Sequence, residues 1–217
     1  MKLNGQSETI ERVNTLTFDI FGTVLDLAGS LVPPLEKLLQ ECNAPESLNG
    51  ADVWNHWRLR QRLEQYQDNI IMLGHSGYLE VKKRALLYTL RLLKIEFTYE
   101  KVDEFMKAYH ELIPFQDAVA GLKRLGTKYR LVILSNGEEW YLKQLVKNNI
   151  GIDFNEILCA EMVGQFKPHP SVYRFAANRL ELEPAQIMMV ASHSFDILGA
   201  RHSGFRGAHV NRYGLPY

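Results

Sequence analysis

The feature that most constrains this chain is a strand-like stretch that stops at an acidic residue. Residues from Val13 to Phe18 are mostly apolar or β-branched, Asp19 follows directly, and Gly22 breaks the pattern. A buried strand that ends in this way places the Asp19 carboxylate at the carboxyl edge of a sheet. Open α/β sheets bind their ligands at that edge. We therefore expect Asp19 to belong to a functional site.

Strand-like runs and helical patterns alternate along much of the chain. The runs are Thr15–Phe18, Arg130–Leu134, Glu156–Ala160, Ile187–Ala191 and, as a fifth, Gly207–Val210. The helical patterns are Phe115–Leu125, closed by Gly126 at a C-cap position, Glu138–Asn148, and Pro170–Leu180, which starts with a proline suited to a first turn. Continuous apolar strands that alternate with helices are typical of parallel sheets. The pattern predicts an α/β fold with a doubly wound parallel sheet.

A long segment separates the first two predicted strands. It spans about a hundred residues, far more than a simple crossover needs. Its apolar residues recur at helical spacing: Val53, Trp54, Trp57, Leu63, Tyr66, Val81, Ala85, Leu86, Val102, Phe105, Met106 and Tyr109. Pro33-Pro34 and Pro114 bracket it. We predict a helical cap at residues 31–113, inserted into a core formed by residues 1–30 and 114–217.

Composition argues against several classes of function. The 25 basic and 25 acidic residues cancel, which argues against nucleic acid or an anionic membrane as the main partner. The two cysteines, Cys42 and Cys159, are far apart, so neither a disulfide framework nor a zinc site is expected, and a cytoplasmic location fits. The polar start from Met1 to Glu8 predicts no signal peptide. No apolar run is long enough to cross a bilayer.

Polar side chains follow the predicted strands at the points where these end. Asp19 follows the first strand, Ser135 and Asn136 the second, Lys167 the third, and residues 192–196 the fourth. Because the carboxyl ends of parallel strands share one edge, these groups should share one pocket, with Asp19 as the nucleophile. A lysine about 4 Å away would attract the carboxylate by roughly 4 kcal/mol at an effective dielectric constant near 20, and would keep it ionised.

Phe21 limits the chemistry open to Asp19. A phosphatase of this design would have a second Asp at position 21, as a proton donor and metal neighbour. The chain has a phenylalanine there. Asp19 therefore suits a substrate whose leaving group needs no proton.

Five sequence pieces together carry a family resemblance. They are FDIFGT at 18–23, WRLRQ at 57–61, LVILSNG at 131–137, FKPHPSVY at 166–173 and VASHSFDILGARHSGF at 190–205. In this order they resemble the haloacid dehalogenase superfamily. Phe21 and the Trp57-Arg58 pair resemble its (S)-2-haloacid dehalogenase branch, often called type II.

The resemblance implies an activity and a set of residue roles. Short (S)-2-haloacids would be hydrolysed to (R)-2-hydroxy acids and halide through an ester on Asp19, with no metal or organic cofactor. Arg58 would face the halide, and Lys167 would hold the Asp19 charge. Thr23, Ser135 and Asn136 would hydrogen-bond the nucleophile or the substrate carboxylate. Tyr173 would support Lys167, and Asp196 would help to activate water. Phe21 and Phe195 would take part in substrate binding.

Some positions depart from the family pattern. The best-known members have Ser-Ser-Asn where this chain has Ala191-Ser192-His193, Tyr where it has Phe21, and Trp where it has Phe195. His193 is either a base that activates water or a hydrogen-bond partner of Asp196. The sequence ends at Tyr217, before the last strand and helix that such proteins usually carry, through truncation or through a shorter end.

Three other functions stay open beside the dehalogenase. The first is a hydrolase that also forms an ester on Asp19 but attacks another electrophilic carbon. His193 and Phe195, which depart from the family pattern, suggest this alternative. The second is a magnesium-dependent phosphatase, against which Phe21 argues. The third is a binding module that uses the fold without turnover. The apolar cap helices also suggest a homodimer, as in relatives.

Overall fold

The computed structural model describes residues 12–71 and 74–214 and shows an α/β fold built on one parallel sheet. The strands are β1 (Thr15–Phe18), β2 (Arg130–Ser135), β3 (Glu156–Cys159), β4 (Ile187–Ala191) and β5 (Arg206–His209). Their order across the sheet is β3-β2-β1-β4-β5, and each neighbouring pair is parallel. The predicted fold class is confirmed.

Strand β1 lies at the centre of the sheet, and its carboxyl end determines where the residues after it lie. Phe18 pairs with Ile133 of β2 and with Val190 of β4. All four residues of β1 are buried, as expected for a strand covered on both faces. The residues that follow β1, β2 and β4 therefore emerge at one edge, with Asp19 in the middle.

Eight α-helices belong to the described part of the chain. They are α1 (Leu27–Glu41), α2 (Gly50–Ile70), α3 (Tyr78–Leu92), α4 (Tyr99–Met106), α5 (Ala118–Gly126), α6 (Glu139–Leu145), α7 (Pro170–Leu180) and α8 (Ser194–His202). A π-helical turn, Val146–Ile150, continues α6, and a 3₁₀ turn, Lys107–Glu111, continues α4.

Helices α1 to α4 form most of the long connection between β1 and β2, and the two ends of this helical segment meet. The Asp26 amide donates to the Ile113 carbonyl at 2.8 Å, and the Phe115 amide donates to the Val24 carbonyl at 2.9 Å. The helical segment therefore begins and ends at the same place on the rest of the fold. The division into a cap at 31–113 and a core stays a prediction, and α1 runs across its first boundary.

The inside of this helical region is aromatic and partly ionic. Trp57 is fully buried and makes edge contacts with Trp54 and Phe105 at 5.5 Å. The Arg84 guanidinium on α3 contacts the Glu64 and Asp68 carboxylates of α2, each at 2.9 Å. Because both acids are buried, this pairing ties α3 to α2 and leaves neither charge unmatched.

Asn69 ties α2 to the core beside a predicted site residue. Its side-chain amide donates to the Phe166 carbonyl, and its side-chain oxygen accepts from the Phe166 amide, both at 2.9 Å. The His75 ring stacks on Phe166 at 4.0 Å and bonds to the Asn136 carbonyl at 2.7 Å. The backbone that leads into Lys167 is thus held by the helical region above it.

Several predicted boundaries were wrong. Pro33 and Pro34 lie inside α1, where the buried leucines at 27, 31 and 35 outweigh two missing backbone donors. Helix α5 starts at Ala118 rather than Phe115. Gly126 is its last residue rather than its cap. Strand β2 extends to Ser135, while Ala160 leaves β3 for a 3₁₀ turn.

The ends of the chain bear on two further expectations. The segment Met1–Glu8, expected to carry no signal peptide, and the last three residues lie outside the described residues. Within residues 12–71 and 74–214, none of the helices combines the length and the apolar content needed to cross a lipid bilayer.

The packing of α1 predicts a stability difference between two leucines. Leu31 is fully buried, so Leu31→Ala should lower the free energy of unfolding by about 2–5 kcal/mol through lost burial and a cavity. Leu59 is 66% exposed, and Leu59→Ala should change it by less than about 0.5 kcal/mol. Urea unfolding of both variants checks this, and equal losses would contradict the packing described for α1.

Candidate active site

Asp19 lies at the end of β1 and is held from three sides. Its side chain is buried, and Oδ2 accepts a hydrogen bond from the Thr23 hydroxyl at 2.7 Å. The Lys167 ammonium donates to Oδ1 at 3.2 Å. The His193 Nδ1 atom lies 3.3 Å from Oδ2. The carboxylate therefore has a fixed orientation at the sheet edge that the sequence predicts.

A tight turn after β1 brings Thr23 back to Asp19. The amides of Thr23, Val24 and Leu25 all donate to the Ile20 carbonyl. Gly22 has a φ of +85°, and a Cβ there would lie 2.6 Å from the Tyr213 hydroxyl and 3.1 Å from His193 Cε1. A side chain at position 22 would therefore be strained and would also clash with neighbours of Asp19.

Lys167 uses all three donors of its ammonium group. Nζ donates to Asp19 Oδ1, to Asp196 Oδ2 at 2.5 Å and to the Leu134 carbonyl at 2.7 Å. Its backbone amide donates to Asn136 Oδ1 at 2.7 Å. Lys167 is thus a fully satisfied buried cation placed between two carboxylates.

This arrangement keeps both Asp19 and Lys167 charged. Burial raises the pKa of the Asp19 carboxyl, but the Lys167 charge and the bonds from His193 and Thr23 outweigh it, so the pKa lies well below the usual range. Burial lowers the pKa of the Lys167 ammonium, but Asp19 and Asp196 outweigh it and leave the pKa raised. Asp19 is therefore an ionised carboxylate at neutral pH.

Asp196 supports Lys167 from behind. Its Oδ2 accepts from Lys167, and its Oδ1 accepts from the Tyr173 hydroxyl at 2.7 Å. Burial raises the pKa of Asp196 to about 6, although the Lys167 charge acts in the opposite direction. Because Asp196 is 1% exposed and both of its oxygens are engaged, it positions Lys167 rather than facing the cavity.

The contact with Arg58 determines the proton position on His193. Arg58 Nη2 lies 3.1 Å from His193 Nε2, and a guanidinium can only donate. Nε2 is therefore the acceptor, and the proton of the neutral ring is on Nδ1, where it is shared with Asp19 Oδ2. Burial lowers the pKa of His193, and the Asp19 carboxylate counters this in part. His193 thus links Arg58 of α2 to the predicted nucleophile.

Ser192 belongs to the site although the sequence did not single it out as a site residue. Its amide donates to Thr23 Oγ1 at 2.9 Å, and its hydroxyl donates to the Gly22 carbonyl at 2.6 Å. The Thr23 hydroxyl is thereby aimed at Asp19. Ser135, by contrast, is fully buried at the end of β2, and its oxygen lies 3.5 Å from the Gly137 amide.

Two adjoining spaces lie above Asp19. A cavity of about 30 Å³ is lined by Asp19, Phe21, Asn136 and Phe195 among others. A cleft of about 620 Å³ lies outside it, against Trp54 and Tyr213. Ligand pockets usually measure about 300–1,000 Å³, so the outer cleft has the size of a ligand pocket and the inner cavity is much smaller. Arg58, Arg62 and His193 line both spaces and form the partition between them.

Aromatic rings form one wall of the inner cavity. Phe21 stacks on Tyr78 with ring centroids 4.0 Å apart and lies parallel to Tyr141 at 5.7 Å. The Phe195 ring packs near His193 at 5.4 Å. Position 21 is therefore apolar and offers no proton to a substrate.

The inner cavity also holds two cations that the sequence did not single out, Arg62 and Lys82. Arg62 lies one helical turn after Arg58 on α2. Lys82 lies on the face of α3 that also buries Tyr78 and Leu86. A lysine at an apolar position of a helix is the sequence signal that could have identified it. Within residues 12–71 and 74–214, no cluster of three or more His, Cys, Asp and Glu side chains is arranged to bind a metal ion.

Comparison with known proteins assigns the family. A family model described as a haloacid dehalogenase-like hydrolase matches residues 13–204. The chain belongs to this family. The (S)-2-haloacid dehalogenase 4A of Burkholderia cepacia is 29% identical over 95% of this chain and 87% of its own. The (S)-2-haloacid dehalogenase of Xanthobacter autotrophicus is 30% identical over 92% of this chain and 76% of its own.

A solved structure extends the likeness to three dimensions. The L-2-haloacid dehalogenase of Xanthobacter autotrophicus with chloropropionic acid covalently bound has a TM-score of 0.78 to this chain at 28% identity, covering 91% of this chain and 77% of its own. The resemblance that the sequence pieces indicated is thereby confirmed. The roles of individual residues stay predictions.

The contacts of Lys167 with Asp19 and Asp196 predict an effect on stability. Lys167→Met leaves Asp19 and Asp196 buried without their shared cation, which should cost about 3–5 kcal/mol of unfolding free energy. The double variant Lys167→Met/Asp196→Asn removes one of the two stranded charges and should recover part of the loss. Urea unfolding of both variants measures this, and an unchanged midpoint for Lys167→Met would contradict the network.

Proposed function

We propose that the protein hydrolyses short (S)-2-haloacids to (R)-2-hydroxy acids and halide ions. The named relatives and the structure with covalently bound chloropropionic acid support this reaction. The observation that carries the proposal is a buried Asp19 carboxylate that Lys167 keeps ionised, next to the apolar ring of Phe21. A carbon–halogen bond suits this site because a halide leaves without a proton.

In the first step, an Asp19 oxygen attacks the carbon that bears the halogen from the side opposite the halogen. A carbon–oxygen bond forms, the carbon–halogen bond breaks, and the halide takes the electron pair with inversion at carbon. Arg58, on the partition of the cavity, is placed to receive the halide. Asn136 lines the same cavity and is placed to bind the substrate carboxylate.

In the second step, water attacks the carbonyl carbon of the Asp19 ester. The hydroxy acid leaves with the former Asp19 oxygen and takes up the proton that water gave to the base. The carboxylate is restored with the oxygen of water, and the second proton of water is released to the solvent. We assign the base to His193, because Asp196 is outside the cavity with both oxygens engaged. When Arg58 turns to the halide, His193 Nε2 loses its donor and becomes free to accept a proton from water.

The other candidate functions receive less support from the site. A phosphatase would need a metal neighbour at position 21, where Phe21 is stacked on Tyr78. A binding module would not need a buried, ionised carboxylate beside a buried lysine. Attack on another electrophilic carbon uses the same groups, so it stays the second candidate, favoured by His193 at a position where the best-known members have Asn.

Three further expectations stay predictions: the absence of a metal or organic cofactor, a cytoplasmic location, and a homodimer. Exposed apolar residues on α2, Leu59 and Leu63, favour the homodimer. Both cysteines of the described chain are buried and unpaired, which agrees with a reducing compartment.

The proposed nucleophile is tested by halide release. We expect release from (S)-2-chloropropionate that persists with EDTA and falls by at least about 10³-fold in Asp19→Asn, because an amide cannot form the ester. Bromoacetate and fluoroacetate extend the assay to other halogens. Absence of halide from all three substrates with a folded sample would reject the dehalogenase. Phosphate release stimulated by magnesium from an aryl phosphate would revive the phosphatase.

The proposed base is tested by trapping the ester. In His193→Ala the first step remains possible while the second loses its base, so the esterified protein should accumulate. Intact-protein mass spectrometry after mixing with (S)-2-chloropropionate should show the added propionate unit, and peptide mapping should place it on Asp19. Asp196→Asn serves as the comparison. Rapid turnover by His193→Ala without a trapped ester would show that another group is the base.

The pKa of Asp196 predicts an acid limit to activity. Burial raises this pKa to about 6, so Asp196 is ionised above that pH and protonated below it. Protonation weakens its attraction for Lys167, and kcat/KM should therefore fall as the pH decreases through about 6. The pH profiles of wild type and Asp196→Asn test this, since the variant should have lower activity with a flatter acidic limb. If kcat/KM falls in the same way at acidic pH in both proteins, a group other than Asp196 causes the fall.

A further inference from the structure

Two cations in the inner cavity have no role in the reaction proposed above. Arg62 and Lys82 line the cavity together with Asp19, Arg58 and Lys167. Lys167 is matched by two carboxylates, and Arg58 is assigned to the halide. Arg62 and Lys82 are left, and they come from two different helices, α2 and α3.

Lys82 is buried without a counter-ion. It is 2% exposed, and its ammonium lies 4.2 Å from the centre of the Tyr78 ring. Among the described residues, no carboxylate pairs with it. The indole of Trp57 donates to the Lys82 carbonyl at 2.9 Å and fixes the backbone there, and the side chain of Lys82 lines the cavity.

Arg62 is also unpaired, unlike its neighbours. Its guanidinium lies 5.4 Å from the centre of the Phe195 ring, and no carboxylate of the described chain forms an ion pair with it. Arg60 on the same helix and Arg84 on α3 both pair with Glu64. Glu64 therefore pairs with the arginines next to it, while Arg62 and Lys82 have no ion pair among the described residues.

Lys82 is buried and Arg62 is half-buried. A buried cation without an ion pair is costly, and a ligand anion can remove that cost. Burial and the charges of Arg58 and Arg62 lower the pKa of Lys82, while the carboxylates of Asp19 and Glu138 act in the opposite direction without forming an ion pair. Burial and Arg58 lower the pKa of Arg62. A 2-haloacid with one carboxylate brings one negative charge to a cavity lined by four cations and the Asp19 carboxylate. A second negative group would lie next to the two unmatched cations.

We propose that Arg62 and Lys82 form a second anion-binding position, which selects substrates that carry another carboxylate beyond the one on the reacting carbon. The substrate class is then a short 2-halodicarboxylic acid. This inference rests on the proposed function for the halogen, while the dicarboxylate preference rests on Arg62 and Lys82. Arg62 also lines the outer cleft, so a second carboxylate can reach it from that side.

Binding of unreactive acids tests the proposal without any turnover. Succinate and monomethyl succinate have similar length but differ by one negative charge. In chloride-free buffer, calorimetry on the wild-type protein should give a Kd for succinate at least about tenfold below that for the monoester. In Lys82→Met and in Arg62→Leu the preference should shrink to less than about threefold. Neither change introduces a new charge, and thermal melting checks that both variants fold.

A neighbouring lysine supplies the matched control. Lys83 pairs with Asp103 on the outside of α3, so Lys83→Met should keep the full preference for succinate. Equal affinity of the wild type for both acids, or an unchanged preference in Lys82→Met and Arg62→Leu, would overturn the proposal. Halide release from (S)-2-chloropropionate with equal affinities would reject this inference alone. A clear succinate preference without halide from any haloacid would reject the proposed function and retain the anion site.

Discussion

The site depends on one buried ammonium group placed between two carboxylates. Lys167 Nζ contacts Asp19 and Asp196 and also bonds to the Leu134 carbonyl, so every donor is engaged. Without this cation, burial would favour a protonated Asp19, which is a poor nucleophile. The same burial that makes the pair costly removes the carboxylate from water and leaves it ready to react.

Much of the surrounding structure holds this lysine in place. The Asn136 side chain, just after β2, accepts from the Lys167 amide, and Tyr173 on α7 holds Asp196. From the cap side, Asn69 binds both backbone groups of Phe166, the residue before Lys167. The helical region is therefore bonded to the loop that carries the central charge. It also supplies Arg58 and Arg62 to the partition of the cavity, so both chemistry and substrate access depend on the position of α2.

The sequence predicted the parts of the site that follow from sheet topology. Asp19 and Asn136 come directly after strands β1 and β2, and Lys167 lies in the loop that follows β3. Parallel strands bring residues at their carboxyl ends to one edge of the sheet. The family resemblance added Arg58, which topology alone would leave as one of several arginines on a charged helix. Both predictions rest on local patterns that survive small errors in element boundaries.

Other features depend on contacts between distant residues and could not be read from local patterns. The tautomer of His193 follows from Arg58, 135 positions away in the chain. Asp196 was expected to help activate water, but the hydroxyl of Tyr173 and the ammonium of Lys167 occupy its oxygens. Pro33 and Pro34 resemble a boundary in the sequence, yet buried leucines on either side keep them inside α1. Lys82 did leave a signal, as a cation on an apolar helix face.

We expect Asp19 itself to form a bond to the substrate carbon. A single turnover in ¹⁸O-labelled water, with enzyme in excess over (S)-2-chloropropionate, tests this step. The hydroxy acid should be unlabelled and one ¹⁸O atom should appear in the peptide that contains Asp19, because water attacks the ester carbonyl. Label in the hydroxyl group of the product, with Asp19 unlabelled, would show that water attacks the substrate carbon directly and would rule out the ester on Asp19.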